Sequence, residues 1–214
     1  MKIIVDAMGG DHAPGEIVAG ALSACKKFNI EAVLVGREDA LRPLIPQDAA
    51  GVSILPAADV IGMEDDPTAL LKTKKESSMA VALRALKDDA GDALVSAGST
   101  GALLVGATMI VRRIPGIRRA ALAPLLPTAQ GNALLIDCGA NVECTPEYLL
   151  QFATMGAHYM QSVLGVAQPR VGLLNNGAEE HKGTPLQQET YQLLKTAPVN
   201  FIGNIEGRDV PLGA

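Results

Sequence analysis

The feature that most constrains the fold of this chain is the alternation of short apolar runs with longer segments whose apolar residues recur at helical spacing. The short runs are typical of buried strands, and the longer segments are typical of helices that bury one face. Strands are predicted at residues 2–5, 32–35, 52–55, 93–95, 120–126, 133–136, 170–174 and 199–202. Helices are predicted from residue 14 through residue 25, and at residues 67–90, 99–111, 146–164 and 185–194. This alternation predicts an α/β fold of three layers, in which a mostly parallel sheet carries helices on both faces.

Two of the predicted segments carry more specific expectations. Residues 99–111 are apolar nearly all round, which favours a helix buried between layers over one on the surface. Residues 120–126 and 133–136 are expected to pair, joined by a turn at residues 128–132. The chain has no internal repeat and no low-complexity tract, so we expect a single α/β domain over residues 1–214.

The composition narrows the class of protein. Of the 214 residues, 48% are hydrophobic and 19% are charged, which excludes a disordered chain. A net charge of −5 argues against a nucleic-acid-binding protein, and three cysteines without a Cys-x-x-Cys spacing support neither a disulfide framework nor a zinc site. The longest apolar run, residues 101–111, is shorter than the roughly 20 residues that span a bilayer. Because the N-terminus also lacks the pattern of a secretory signal, we expect a cytosolic protein.

Small and polar residues follow five of the predicted strands. These segments are residues 6–12, 96–101, 137–141, 175–177 and 204–209. In folds with a parallel sheet, ligands bind beyond the carboxyl ends of the strands, where loops and helix N-termini meet. The five segments therefore predict one shared ligand-binding cleft.

The glycine pair Gly9-Gly10 follows the first predicted strand and has two interpretations. Its backbone amides can approach an anion closely, assisted by the N-terminus of the helix that follows. Alternatively, the pair forms a tight turn that binds no ligand. Asp6 and Asp11 flank the pair, and because carboxylates repel phosphate they are better suited to orient neighbouring groups or to accept a hydrogen bond from a ligand N–H.

The segment Ser96-Ala97-Gly98-Ser99-Thr100-Gly101 opens a predicted helix with small and hydroxylated residues. Free N–H groups and hydroxyls at this position suit a phosphate or a carbonyl oxygen. Ser99 or Thr100 can equally cap the helix by bonding to its backbone. Neither a Walker loop nor a dinucleotide-binding fingerprint occurs in the sequence.

Lys182, in the run Glu179-Glu180-His181-Lys182-Gly183, is the cation expected to border the cleft. Its ammonium can bind phosphate as a point charge, or it can pair at the surface with the neighbouring glutamates. Cys138, at a strand end, is conceivable as an acyl-carrying nucleophile. Nothing in the sequence supplies a base that would stabilise its thiolate, so a buried structural thiol is the favoured interpretation.

The remaining candidates are three histidines and one basic cluster. The histidines share no metal-ligand spacing, so packing or surface roles are favoured for His12, His158 and His181. The basic cluster either docks an acidic partner or forms a solvated turn, and the turn is somewhat favoured. Its members are Arg112, Arg113, Arg118 and Arg119.

Seven segments, taken together, carry a resemblance to a known family. They are DAMGGDHAP (6–14), KKESSMAVAL (74–83), SAGSTGA (96–102), DCGANVEC (137–144), QFATMG (151–156), NNGAEEHKG (175–183) and GNIEGRD (203–209). The order and spacing of these segments, from residue 2 to about residue 209, resemble those of the bacterial phosphate acyltransferases. Four positions depart from the usual pattern: Lys72 stands for Arg, Ser99 for Asn, Asn176 for an apolar residue and Ala120 for Pro. The family typically continues for about a hundred residues more, so we expect this chain to lack the C-terminal third.

The resemblance implies a fold like that of isocitrate and isopropylmalate dehydrogenases and of phosphotransacetylases. It also implies transfer of a fatty acyl group from acyl carrier protein to inorganic phosphate, giving acyl phosphate for phospholipid synthesis, with no cofactor and no metal. A cytoplasmic homodimer is expected, with peripheral contact at the inner face of the membrane or handover to a membrane glycerol-phosphate acyltransferase. Two alternatives stay open: an enzyme like phosphate acetyltransferase that uses acyl-CoA, and a non-catalytic scaffold that binds acyl carrier protein.

The implied reaction defines the roles that site residues must fill. Phosphate is already an anion near neutral pH and a thiol leaves readily, so the enzyme must align phosphate and stabilise the oxyanion rather than form an acyl-enzyme. We expect Lys182 to bind phosphate or the oxyanion, and Asn141 and Asn175 to donate hydrogen bonds. The expected substrate-binding residues are Asp6, Gly9, Gly10, Asp11, Ser96, Ser99, Thr100, Gly101, Asp137, Gly177, Glu206 and Arg208.

Overall fold

The computed structural model describes residues 1–213. Contacts within the chain cluster in two compact units: unit 1 is Met1–Ile114 and unit 2 is Pro115–Ala214. Each unit has strands and helices of its own. The single domain expected over residues 1–214 stays a prediction.

Unit 1 is built on a sheet of four parallel strands. They are β1 (Lys2–Asp6), β2 (Glu31–Gly36), β3 (Val52–Pro56) and β4 (Ala93–Ser96). Their order in the sheet is β3-β2-β1-β4, so β1 has a parallel neighbour on either side. The chain therefore moves from β1 to one side of the sheet through β2 and β3, and returns to the other side of β1 at β4.

The helices of unit 1 connect and cover these strands. They are α1 (Gly15–Phe28), α2 (Glu38–Leu41), α3 (Ala69–Lys72), α4 (Ser78–Lys87) and α5 (Thr100–Gly106), with a 3-10 turn at Arg42–Leu44 and a π-helix at Ala107–Val111. α1 forms because its apolar residues fall on one face. It ends at Asn29, which takes the left-handed conformation (φ 52°) common after helix C-termini. Lys26 and Lys27 in its last turn interact favourably with the helix dipole.

The core of unit 1 lies on both faces of the sheet, because successive side chains of a strand point to opposite faces. On one face Val5 and Leu34 pack with Val18 of α1. On the other face Ile4 packs with Ala82 of α4. A parallel sheet with helices on both faces is the three-layer α/β arrangement predicted from the sequence, and that prediction is confirmed.

The helix predicted over residues 67–90 is broken in the structure. α3 and α4 are separated by residues 73–77, and the prediction of one continuous helix is wrong. Ser77 is extended and forms a β-bridge with Asp59, and its Oγ accepts a hydrogen bond from the Ala80 N–H. Ser77 therefore begins a new helix as its cap, and the bridge holds the preceding residues out of helical conformation.

The helix predicted over residues 99–111 also differs from expectation. It begins at Thr100, and its last five residues form the π-helix. Ala102 and Gly106 are buried, whereas Met109 is 61% exposed. The prediction of a helix buried on all sides is therefore wrong. Its buried face is the one with small residues, where a Cβ added to Gly106 would meet the side chain of Leu83 on α4 at 2.3 Å.

Unit 2 combines a hairpin with a strand-helix-strand segment. Its elements are β5 (Leu125–Thr128), β6 (Gly131–Leu134), α6 (Pro146–Ser162), β7 (Arg170–Asn175), α7 (Pro185–Thr196), β8 (Asn200–Glu206) and a 3-10 turn at Val210–Leu212. β5 and β6 pair antiparallel, and β7 and β8 pair in parallel. The predicted hairpin is confirmed, but its first strand begins at Leu125 rather than at residue 120. Residues 120 and 122 instead bond to the loop after β6.

α6, with 17 residues, buries Phe152 and Gly156. Pro146 is suited to the first turn of this helix, where a backbone N–H has no intrahelical acceptor. Neither α6 nor any other helix within residues 1–213 is long and apolar enough to cross a membrane.

A groove of about 800 Å³ runs along α6, β6 and β7 within unit 2. Apolar side chains form much of its lining, among them Leu134, Ala153, Met160 and Leu173. These side chains are only half-buried, so the groove presents apolar surface.

Candidate active site

Two loops of unit 1 meet at the carboxyl edge of its sheet. One follows β1 and the other follows β4. Because Asp6 and Ser96 are paired at the ends of these neighbouring strands, the loops leave the sheet side by side. The order of the chain across the sheet reverses at β1, and parallel α/β sheets bind ligands at such reversal points.

The two strand ends are joined by hydrogen bonds between side chains. Ser96 Oγ–H donates to Asp6 Oδ2 at 2.7 Å, and Ser96 Oγ accepts from the Gly98 N–H at 3.1 Å. Asp6 is 1% exposed, and its Oδ1 accepts no hydrogen bond from residues 1–213. Asp6 and Ser96 therefore fix the start of the second loop, which agrees with the expectation that Asp6 orients its neighbours.

Close contacts leave little room for a side chain at either glycine of the pair Gly9-Gly10. A Cβ added to Gly9 would lie 2.5 Å from Asp6 Oδ2 and 3.0 Å from the Gly98 backbone nitrogen. Gly10 has φ +110°, a conformation that favours glycine, and its added Cβ would lie 3.1 Å from Ala97 Cβ. The tight-turn interpretation therefore accounts for both glycines, while an anion at their amides stays a prediction.

The helix-cap interpretation likewise accounts for Ser99, whose Oγ accepts from the Ala102 N–H at 3.4 Å. Ser99 is buried, and Thr100, the first residue of α5, is exposed. Gly101 lies against Pro67, whose Cγ would be 3.0 Å from an added Cβ. Substrate contacts of these residues, and of the exposed Asp11, stay predictions.

Asp137 organises the loop after β6 in unit 2. Its Oδ1 accepts from the N–H groups of Leu122 and Ala140, and its Oδ2 accepts from the Asn141 N–H at 2.8 Å. Burial raises the pKa of Asp137, but the hydrogen bonds from Leu122, Asn141 and Ala140 outweigh it and hold the pKa below its ordinary value of 3.8. Asp137 therefore stays ionised as a structural acceptor, and a direct substrate contact stays a prediction.

Asn141 uses its side-chain amide inside the same loop. Its Nδ2 donates to Ala120 O at 2.8 Å and to Asp137 Oδ2 at 3.2 Å. An amide NH₂ group has two hydrogens, so both are already bonded in this structure. The expected role as a donor to substrate therefore needs one of these bonds to be exchanged, and that role stays a prediction.

Lys182 lies in the loop between β7 and α7, and Asn175 at the end of β7 anchors this loop. Asn175 Nδ2 donates to Lys182 O at 3.1 Å, and Asn175 Oδ1 accepts from the Asn176 N–H at 2.9 Å. Gly183, with φ +87°, sits so close to Asn175 that an added Cβ would be 2.7 Å from Oδ1. One amide hydrogen of Asn175 remains outside these bonds and suits the expected donor role.

The ammonium of Lys182 is only weakly engaged. Its Nζ lies 4.0 Å from Glu179 Oε2, and the lysine side chain is 40% exposed. An ion pair at this distance and exposure contributes little to stability. Gly177 packs against the same side chains, with an added Cβ at 3.0 Å from both Glu179 and Lys182. The geometry leaves the charge of Lys182 accessible to an anion.

A cavity of about 510 Å³ lies at the N-terminus of α7, next to this loop. Its lining residues are Leu174, Asn175, Asn176, Gly183, Thr184 and Gln187. The N-terminus of a helix attracts negative charge. The cavity and the helix end thus lie next to the loop in which the ammonium of Lys182 follows the carboxylates of Glu179 and Glu180.

Asn204 belongs to the predicted cleft segment 204–209 but is not among the individual site residues predicted from the sequence. It lies on β8 and its Nδ2 donates to Glu179 O at 2.7 Å, so it holds the loop that carries Lys182. The sequence feature that could have indicated this role is the position of an asparagine inside the otherwise apolar run Phe201-Ile202-Gly203-Asn204-Ile205.

The guanidinium of Arg208, which is expected to act as a further cation of the site, pairs with the carboxylates of Glu206 and Asp209. Its Nη2 donates to Glu206 Oε2 at 2.6 Å, and its Nε lies 4.0 Å from Asp209 Oδ1. Asp209 Oδ2 also accepts from the Glu206 N–H at 2.9 Å, which closes the turn. Arg208 is 78% exposed, and contacts of Glu206 and Arg208 with substrate stay predictions.

The cysteines differ from the sequence-based expectation. Cys138 is exposed, so the prediction of a buried structural thiol is wrong. Its backbone N–H donates to Leu122 O, which turns the residue out at the surface side of the loop. Burial, together with the nearby carboxylate of Asp137, raises the pKa of the Cys144 thiol. Cys144 therefore does not have the surroundings of an activated thiolate.

The histidines and the arginines occupy surface positions. His12, His158 and His181 are all exposed, and no group of three or more His, Cys, Asp or Glu within residues 1–213 could hold a metal ion. In the basic cluster, the Arg118 backbone N–H donates to Gln151 Oε1 at 2.9 Å, and the Arg119 guanidinium lies 5.5 Å from the ring centre of Tyr148. The loop of this cluster is thus attached to α6.

The segments expected to share one cleft belong to both units. The loops with Gly10 and Thr100 are part of unit 1, and those with Asn141 and Lys182 are part of unit 2. Their convergence on one cleft stays a prediction.

Solved structures with this fold include phosphotransacetylases. The EutD phosphotransacetylase from Staphylococcus aureus matches with a TM-score of 0.68 at 17% identity, covering 96% of this chain and 68% of that chain. A branched-chain phosphotransacylase from Enterococcus faecalis V583 matches with a TM-score of 0.64 at 14% identity, covering 98% and 69%. This likeness shows the fold alone, and it confirms the predicted α/β fold of the phosphotransacetylase type.

Sequence comparison defines the family. A family model described as "Fatty acid synthesis protein" matches residues 1–214, and the chain belongs to this family. A protein named phosphate acyltransferase from Desulfitobacterium hafniense (strain DSM 10664 / DCB-2) is 51% identical over 215 residues, and another from Heliobacterium modesticaldum (strain ATCC 51547 / Ice1) is 49% identical over 217 residues. These alignments cover 100% of this chain but only 64% and 65% of the relatives. The resemblance to bacterial phosphate acyltransferases is thereby confirmed.

The contacts of Gly10 predict a loss of stability on substitution. Gly10→Ala is expected to lower the free energy of unfolding by about 1–3 kcal/mol, because alanine is strained at φ +110° and its Cβ meets Ala97. Gly15→Ala is the matched control, since an added Cβ there meets nothing within 4 Å, and we expect it to change stability by less than about 1 kcal/mol. Urea unfolding of both variants measures the difference. Equal effects at the two positions would contradict this account of Gly10.

The lowered pKa of Asp137 predicts a pH dependence of stability. A carboxyl whose pKa is lower in the folded chain stabilises it above the unfolded pKa, and this contribution is lost as pH falls through the folded pKa. Asp137→Asn is therefore expected to reduce the free energy of unfolding at pH 7, with the deficit shrinking as the pH falls below about 3.8. Urea titrations of wild type and variant at several pH values test this. A deficit that is constant with pH would show that the charge of Asp137 is not involved.

Proposed function

We propose that this chain carries the acyl-transfer site of a phosphate acyltransferase. The enzyme moves a fatty acyl group from acyl carrier protein to inorganic phosphate and so provides acyl phosphate for phospholipid synthesis. The observation that carries this proposal is 51% identity, along the whole chain, to a relative named phosphate acyltransferase. The weak pairing of Lys182, which lies shortly before the first residue of α7, supports the proposal.

The proposed reaction is a direct displacement. A phosphate oxygen attacks the thioester carbonyl carbon, the carbonyl oxygen becomes an oxyanion, and the C–S bond then breaks as the carbonyl re-forms. The thiolate of the carrier protein leaves with the bonding electron pair and takes a proton from solvent. A thiol with a pKa near ~8.5 is a good leaving group, so no covalent acyl-enzyme is needed. The exposed Cys138 takes no part in this scheme.

Lys182 binds phosphate or the oxyanion in this proposal. Its weak pairing with Glu179 supports the role, because the ammonium can turn to a stronger anion without breaking a buried salt bridge. Asn175 donates its remaining amide hydrogen to the anion beside Lys182. Asn141 either holds its loop through the bond to Asp137 or exchanges one of its bonds for a bond to the substrate. Preorganised donors of this kind stabilise developing negative charge.

The partners of the proposed enzyme follow from the same resemblance. Acyl carrier protein is the acyl donor and inorganic phosphate is the acceptor. The chain works in the cytoplasm as a homodimer, and contact with the inner face of the membrane, or handover to a membrane glycerol-phosphate acyltransferase, would bring the product to its next use. These statements are proposals for the longer protein that the relatives represent, of which this chain spans 64–65%.

A second candidate donor is acyl-CoA. The likeness in fold to the EutD protein, which is named a phosphotransacetylase, favours this alternative. The two donors differ in the carrier and not in the displaced thiol, so the same site chemistry serves either.

One assay separates these candidates. The 214-residue chain and a version extended to the length of the relatives are each given acyl carrier protein thioesters or CoA thioesters with phosphate. Acyl phosphate is then trapped with hydroxylamine. Faster phosphate-dependent turnover of the carrier-protein thioester supports the proposal, and faster turnover of CoA thioesters supports the second candidate. Binding of acyl carrier protein without any thioester loss, in both chain lengths, would identify a non-catalytic scaffold.

Substitution of Lys182 tests the role of its charge. In the chain that shows turnover, Lys182→Ala is expected to reduce kcat/KM by about 10²–10³, because loss of one oxyanion-stabilising group has effects of that size. Cys138→Ser is the control and should keep wild-type turnover, since Cys138 forms no thioester in the proposed reaction. Full activity of Lys182→Ala with an unchanged circular dichroism spectrum would remove Lys182 from the mechanism.

A further inference from the structure

Asn204 is a polar residue in a place where an apolar one would be expected. It lies near the middle of β8, beside Leu173 of β7, and only 7% of its surface is exposed. Its neighbours along the strand include Phe201, Ile202 and Ile205. A buried amide is retained at such a position only where it makes hydrogen bonds that the surroundings need.

The Asn204 side chain donates a hydrogen bond to the loop that carries Lys182. Asn204 Nδ2 donates to the backbone oxygen of Glu179 at 2.7 Å. A carbonyl oxygen can only accept, so this contact fixes which end of the amide is the NH₂ group. The other end, Oδ1, is buried and accepts no hydrogen bond from residues 1–213. The Asn204 side chain is therefore oriented by its bond to Glu179, and its own strand supplies no hydrogen bond to Oδ1.

The same carbonyl is connected to Lys182. The Lys182 N–H donates to Glu179 O at 3.1 Å, and Lys182 O accepts from Asn175 Nδ2 at 3.1 Å. Asn175 and Asn204 lie on the paired strands β7 and β8. The two asparagines thus hold the peptide groups on both sides of Lys182, one directly and one through Glu179.

We propose that Asn204 is a positioning residue for Lys182. It fixes the turn from Glu179 to Lys182, and so sets where the ammonium stands relative to the Glu179 carboxylate and to an incoming anion. When this bond is lost, the turn relaxes and Nζ moves from its present separation of 4.0 Å from Glu179 Oε2. This inference rests on the proposed function, in which Lys182 binds phosphate or the oxyanion.

The test uses Asn204→Asp, which keeps the shape of the side chain but removes the NH₂ donor at neutral pH. Asn204→Ala is the second variant. Asn200→Asp is the matched control, because Asn200 is exposed at the start of the same strand and its substitution makes the same change in charge. All variants are made in the 214-residue chain and in the extended version.

Two readouts do not depend on catalysis. Hydrogen exchange measured by mass spectrometry reports protection of residues 179–183, and an amine-reactive reagent reports the reactivity of Lys182 relative to that of Lys26, an exposed residue of α1. We expect Asn204→Asp to lower protection in this segment and to change the relative labelling of Lys182 at least about threefold, with Asn200→Asp unchanged. As the pH falls and the introduced carboxylate becomes protonated, its O–H can donate to Glu179 O, so protection relative to wild type at the same pH should recover.

Kinetics supplies the functional readout. A small misplacement of a binding group lowers activity strongly, so we expect kcat/KM for phosphate to fall about 10–100-fold in Asn204→Asp. Most of this loss should appear as a higher KM for phosphate, because Lys182 remains present but poorly placed. A purely structural role would lower the unfolding midpoint while leaving KM and the labelling of Lys182 unchanged at temperatures where the variant is folded.

The outcomes separate the two proposals. Altered labelling and protection with no turnover in any version, wild type included, would support the positioning role while the proposed function fails. Unchanged labelling and protection in Asn204→Asp would overturn the positioning role even if the enzyme is active. If neither variant folds, the side-chain amide protons of Asn204 are followed in wild type by NMR. Slow exchange supports the bond to Glu179, and exchange at the rate of a free amide overturns the inference.

Discussion

Parallel pairing of strands is the constraint on which the loops of this chain depend. Strands that run in the same direction end at the same edge of a sheet, so the residues that follow them become neighbours whatever their separation in sequence. Asp6 and Ser96 are 90 positions apart and meet because β1 pairs with β4. Asn175 and Glu206 meet in the same way at the ends of β7 and β8. The backbone hydrogen bonds of the sheets therefore decide which polar groups lie together, before any side chain makes a contact.

At each of these strand ends, a few buried or half-buried polar side chains tie the following loop to the framework. Ser96 Oγ bonds to Asp6 and to the Gly98 N–H. The other anchors bond directly to backbone groups, and they are Asp137, Asn141, Asn175 and Asn204. The atoms that make these bonds can reach a ligand only if the bonds are exchanged. The chemistry of the site then depends on groups that the anchors hold in place but do not consume, of which the ammonium of Lys182 is the clearest case.

The fold could be predicted from the sequence because it follows from local patterns. Short apolar runs located most strands and apolar residues at helical spacing located most helices, and the alternation of the two indicated the parallel sheet of unit 1. The errors have identifiable causes too. Residues 73–77 are all polar, and the break between α3 and α4 falls in this run, where Ser77 also forms a long-range bridge with Asp59. The exposure of Met109 could not be seen in the sequence either, because it depends on which small residues face α4.

Prediction of the site was less complete for a physical reason. Sequence identifies residues that are chemically able to bind an anion, but not how many of their hydrogen bonds are already used. Asn141 and Arg208 are suitable by type, yet both bond to neighbouring protein groups. Asn204 was overlooked because its partner, Glu179, is 25 positions away and is contacted through its backbone oxygen.

The groove along α6, β6 and β7 has a consequence for how this chain behaves in a crowded solution. β7 and β8 pair only with each other within residues 1–213, so each strand has an outer edge whose N–H and C=O groups are open to another strand. Half-buried apolar side chains lie directly beside one of these edges. Open edges next to apolar surface are the usual starting points of strand addition between molecules. Strand addition at an unpaired edge of β7 or β8 is therefore one route by which this polypeptide would aggregate.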